Sequence, residues 1–192
     1  MGAMRSFFWG GCGLRPFFFL ERLIMNKQAR KLAHGAIIAA LYVVLTHFQN
    51  MLLPGSATWA VQMRLSEALC ILAFFTPAAR MGLAIGCLLF NLTFAGALPL
   101  DFAVGSLATY LAAWGMWLTR NVTFRNIPVL GLAMPAIANA ALVGWELSVY
   151  IGGGFWLNAF YVALGEIAVL YTVGLALYWA MKKRKLDLRL FG

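Results

Sequence analysis

Four carboxylates, Glu67, Asp101, Glu146 and Glu166, and two amides, Asn91 and Asn139, stand inside or at the edges of long apolar runs. An ionised side chain at membrane depth costs roughly 2.5–3.5 kcal/mol on insertion scales, so such groups face a protein interior or a wet cavity and mark a binding site or pathway. Interhelical hydrogen bonding is the other use of these groups, and for either amide alone both roles are open. Asn139 and Glu146 are seven residues apart, hence on one face of a helix. Trp59, in PGSATWAVQMR, and Trp145, beside Glu146, adjoin polar groups and are candidates to stack on a planar ligand. With Tyr150, Phe155, Trp156 and Tyr161 they also fit an interfacial aromatic belt.

No other chemistry is spelled out. There is no paired Asp motif, no nucleophile elbow and no His beside a carboxylate, so an enzyme is not expected. His34 and His47 lie near opposite ends of one apolar run, without metal or catalytic spacing. The three cysteines, Cys12, Cys70 and Cys87, form no CxxC or Cys/His pattern, which predicts neither a disulfide framework nor a metal site. No cofactor is expected. The absence of a GxxxxGK[ST] segment means that uphill transport would draw on a partner or an ion gradient.

The elements that position these residues follow from composition. With 63% apolar and 11% charged residues, the chain is far from a water-soluble domain. At about 20 residues per span, 192 residues hold at most six or seven membrane helices. Six apolar blocks follow Met25: 32–53, 65–79, 81–98, 102–119, 127–148 and 155–181. Pro54-Gly55-Ser56, Pro99 with Asp101, and Gly152-Gly153-Gly154 punctuate them. The expected fold is an all-α integral membrane six-helix bundle over 25–185, with 186–192 as a cytoplasmic tail. The second block, at 15 residues, is short for a span. Residues 1–24 read as an upstream extension or misassigned start, since Met25 opens MNKQARK, a plausible native N-terminus.

A net charge of +9 would point to nucleic acid in a soluble protein, but here the cations cluster between apolar runs. With six crossings, eleven of the twelve basic residues after Met25 fall on one side, Arg64 alone opposite. The positive-inside rule then places both termini in the cytoplasm. The same topology puts Glu67, Asp101, Glu146 and Glu166, from four different helices, in the outer half, with Glu166 roughly 16 Å deep. Arg64 reads as a partner for Glu67 or part of an external gate. The first block carries small residues at spacing four, Ala29/Ala33, Gly35/Ala39 and Ala36/Ala40, which permit close helix approach.

RLSEALCILAFFTPAARMGLAIGCLLFNL (Arg64–Leu92), DFAVGSLATYLAA (Asp101–Ala113), PAIANAALVGWEL (Pro135–Leu147) and Gly165-Glu166 resemble the QueT family. These are substrate-capture (S) components of energy-coupling-factor transporters for queuosine precursors. The resemblance covers Met25 to Lys185. It implies a six-helix S component in the bacterial plasma membrane that binds a 7-deazaguanine such as preQ1 or preQ0 from outside. It also implies a transmembrane T component and two ATPase subunits as partners. An AxxxA ridge on the first helix would contact the T component, which gives Ala36 and Ala40, and less directly Ala29 and Ala33, that role. Glu67, Asn91, Asp101, Asn139, Glu146 and Glu166 would meet the base's N1–H, amino and O6 groups and an ammonium, with Trp59 or Trp145 stacking. An S component for another vitamin-like solute and an ion-coupled carrier are the alternatives, with a small membrane enzyme behind them.

Overall fold

The structure, a computed structural model, describes residues 27–54, 56 and 63–191. Residues 1–24 and Trp59 lie outside the described residues. The chain runs through α1 (Lys27–Leu52), a 3₁₀ helix (Leu65–Phe74), α2 (Ala78–Thr93), α3 (Asp101–Leu118) and α4 (Val129–Tyr150). It continues as α5 (Phe155–Val169), a π-helical turn (Leu170–Gly174), α6 (Leu175–Lys183) and α7 (Leu186–Phe191). No strand occurs among the described residues; Phe124 and Ile127 form one isolated bridge. Gln28–Leu52, Val129–Tyr150 and Phe155–Lys183 are long and apolar enough to cross a membrane, while Leu65–Phe74 and Ala78–Thr93 are apolar but shorter. All six expected blocks are helical and in the expected order.

Outward faces are apolar, as a surface in lipid requires: Ile37 and Val44 of α1 and Phe160 and Leu164 of α5 are all exposed. The core lies around the second block. Every residue from Ser66 to Phe74 is buried, and the segment packs against each helix from α1 to α6. An element apolar on all sides belongs in the interior. Its geometry differs from the α-helix expected over 65–79. At about 2.0 Å per residue, ten 3₁₀ residues cover about 20 Å where an α-helix would cover about 15 Å, so the short block is stretched. A 3₁₀ helix also brings residues i and i+3 into line. Accordingly Cys70 Sγ donates to Glu67 Oε2 at 3.2 Å. The block ends early because Pro77, which suits a helix start, sets up α2 from Ala78. α2 stops at Thr93, short of the expected Leu98, where Phe94 turns extended (φ −97°, ψ 112°).

Two close approaches lock the bundle. A Cβ on Gly82 would sit 2.6 Å from the Gly35 carbonyl oxygen, and one on Gly86 would sit 2.9 Å from that of Ala39. The Gly35/Ala39 pair therefore faces α2, whereas Ala29, Ala33, Ala36 and Ala40 are all exposed. Valine at Gly82 must push apart two backbones that cannot yield, at a cost of about 1–3 kcal/mol or more. Gly82→Val should lower the melting temperature in detergent markedly, while Gly35→Ala, whose Cβ finds only ordinary contact at 3.5 Å, should leave it nearly unchanged. The α4–α5 reversal is built differently. Gly152, Gly153 and Gly154 all take positive φ (88°, 81° and 82°), a conformation that side-chain-bearing residues rarely adopt. Asn158 Nδ2 ties the loop down by donating to the Gly152 carbonyl at 2.7 Å.

Charge separates along the bundle. The Arg80 and Arg120 guanidinium groups lie 5.5 and 3.9 Å from the Trp117 ring centroid. Lys182 Nζ lies 5.4 Å from the Phe75 ring, and His34 packs edge-on against Phe191. The starts of α1 and α2 and the ends of α3 and α6 thus form a basic end. Asp101 opens α3 at its opposite terminus.

Candidate functional site

Away from the basic end, the polar residues of the 3₁₀ helix, α2, α3, α4 and α5 turn inward. Glu67, Asn91, Asp101, Asn139, Glu146 and Glu166 are each at most 6% exposed. They form two neighbouring groups. In the first, Tyr42 Oη donates to Glu67 Oε1 at 2.6 Å, and Thr109 Oγ1 approaches the same oxygen at 3.5 Å. With Cys70 on Oε2, Glu67 is held by α1, α3 and its own 3₁₀ row. Glu166 of α5 faces the same group: its charge and that of Glu67 interact, and Asn139 Nδ2 donates to Glu166 Oε1 at 2.7 Å.

The second group surrounds Arg64. Its guanidinium approaches Asp101 Oδ1 at 3.9 Å, with both side chains buried, and reaches Cys87 Sγ at 3.8 Å. Arg64, just ahead of the 3₁₀ helix, thus pairs with Asp101 at the start of α3, a long-range pairing that the sequence alone does not name. Asn91 Nδ2 donates to the Asp101 backbone carbonyl at 2.7 Å, and the Leu98 N–H donates to Asp101 Oδ2 at 3.2 Å. Glu146 completes this group, its carboxylate within electrostatic reach of Asp101 and Arg64.

What these groups lack is as informative as what they hold. Among the described residues, neither oxygen of Glu146 has a hydrogen-bond partner, nor do Glu166 Oε2 and Asn91 Oδ1. Buried acceptors without donors are rare in folded proteins, and each costs about 1–3 kcal/mol or more. All of these open positions are acceptors. A ligand that satisfies them brings several N–H donors or a positive charge.

The structure does not bring Trp145 to this cluster. It is 49% exposed while the adjacent Glu146 is fully buried, because successive helical residues point about 100° apart. Tyr42, Thr46, Thr109, Cys70 and Cys87 are site neighbours that the sequence reading passed over. A signal was present on α1: Tyr42, Thr46 and Gln49 recur at helical spacing in its membrane-length apolar stretch, and all three are buried. Thr46 Oγ1 donates to Ser66 Oγ at 2.8 Å, and Gln49 Oε1 accepts from the Leu65 N–H at 2.7 Å. This polar row fastens α1 to the start of the 3₁₀ helix that carries Glu67.

A family model described as QueT transporter matches residues 32–183, most of the chain. The chain belongs to the QueT transporter family. No curated protein and no solved structure matches it.

Proposed function

We propose that this member of the QueT transporter family is the substrate-capture subunit of an energy-coupling-factor importer, a six-helix S component of the bacterial plasma membrane with both termini in the cytoplasm. It takes up a 7-deazaguanine such as preQ1 or preQ0 from outside. The observation that carries this reading is the set of unpartnered buried acceptors on Glu146, Glu166 and Asn91. The base offers N1–H and 2-amino donors, and preQ1 adds an ammonium; these are the complements of open carboxylate and amide oxygens. Asn139 Nδ2, which gives one hydrogen to Glu166, has a second for the O6 edge. Glu67, already holding three protein donors, positions the site more than it opens it.

Delivery inward requires a T component and two ATPases, since the chain carries no phosphate-binding loop of its own. The exposed row Ala29, Ala33, Ala36 and Ala40 is the surface on which a partner helix approaches closely. Uptake of labelled 7-deazaguanine by cells expressing this chain should fall to background when the ATPase genes are deleted. Uptake that persists without the ATPases, and collapses instead with the ion gradient, would favour an ion-coupled carrier.

A further inference from the structure

At the basic end, two cavities share a wall. One is a trough of about 510 Å³ between α1 and α2, bounded by Leu32, Gly35 and Ala36 on one side and Met81, Gly82 and Ile85 on the other. Leu32, Met81 and Ile85 are exposed, so the trough opens sideways to the bundle's surroundings and not to its core. The second cavity, about 240 Å³, is lined by Arg30, Lys31, His34 and Thr76 among others. Lys31 and Pro77 line both cavities, and Arg80 lines the trough. Among the described residues, no carboxylate lines either one.

An apolar slot that opens to the side and runs into a cationic, hydroxyl-bearing recess fits a molecule with an apolar chain and an anionic head. The end of the bundle matters too. Cations gather here, where anionic headgroups of a cytoplasmic leaflet concentrate and basic side chains attract them. A peptide helix would fill the trough but leave the recess and its cations without an anion. We infer that the trough and recess hold one anionic phospholipid, an acyl chain against Gly35, Ala36 and Gly82 and the phosphate on Lys31, His34 and Thr76, with Arg80 at the mouth. Ala36 belongs both to the trough and to the exposed alanine row, so the lipid lies beside the surface proposed for partner docking.

The test is native mass spectrometry of the purified full chain, titrated with phosphatidylglycerol or with phosphatidylcholine of the same acyl composition. One phosphatidylglycerol per chain should be retained with roughly tenfold preference. Lys31→Gln with Arg80→Gln should reduce that preference to within twofold, with an unchanged melting temperature. Equal retention of the two lipids by the unaltered chain, or a preference that survives the double substitution, would overturn the inference. A photo-crosslinking residue at Leu32 separates the occupants in cells: a lipid adduct supports the inference, and a polypeptide adduct alone refutes it. None of these outcomes depends on the 7-deazaguanine reading.

Discussion

Glu146→Gln should weaken 7-deazaguanine binding by about 30- to 150-fold, the equivalent of 2–3 kcal/mol for a charge-assisted hydrogen bond. The same substitution should leave the empty protein as stable as before or more so. Both effects have one cause. Glu146 is buried with neither oxygen paired to a donor among the described residues, and it lies beside the carboxylate of Asp101. In the empty state its charge is a cost, which a neutral amide relieves. With ligand bound that charge meets a donor, and the amide forfeits the interaction. Glu166→Gln should behave similarly through its unpartnered Oε2. Glu67→Gln should differ, losing stability because it breaks an arrangement in which Tyr42, Cys70 and Thr109 already converge. Titration calorimetry and thermal melts on the three variants separate the roles; equal effects of all three on binding and on melting would refute this division.

Ala36→Leu combined with Ala40→Leu should abolish uptake in cells, by at least tenfold, while changing ligand affinity in detergent less than twofold. Both alanines are exposed and make no contribution to the buried cluster. Leucine there adds bulk to an outer face, which the fold tolerates but a closely approaching partner helix does not. Ala39 supplies the contrast. It is 5% exposed and lies against α2 near Gly86, so Ala39→Leu should instead impair folding. Normal uptake by the double variant, at normal expression, would remove the alanine row from partner docking.

Position along the bundle was legible in the sequence; direction around each helix was only partly so. The spacing of apolar blocks and basic clusters places the four carboxylates in one half, and the structure gathers them with Asn91 and Asn139. The seven-residue spacing of Asn139 and Glu146 rightly implies a shared buried face. Trp145 shows the limit: adjacency to Glu146 looked like shared surroundings, yet neighbours on a helix diverge. Arg64 reads from the sequence as a partner for Glu67 or part of an external gate; in the structure it forms an ion pair with Asp101, brought near by the packing of α3 on the 3₁₀ helix. The 3₁₀ geometry itself was not legible, because a short apolar run carries no periodicity signal between helix types. Nor could spacing alone divide the small residues of α1 into a pair that packs on α2 and a row left outside. That division needs the rotation of α1, which the buried Tyr42, Thr46 and Gln49 make visible only once they are read as a polar row.

Binding of the base by the buried carboxylate cluster is the proposal on which the functional reading depends. It is tested most directly by titrating preQ1 and preQ0 into the purified chain, in detergent and without nucleotide, beside a variant with Glu67, Asp101, Glu146 and Glu166 all changed to amides. The unaltered chain should bind at least one base saturably, and the folded variant none. Undiminished affinity in that variant would contradict the proposal.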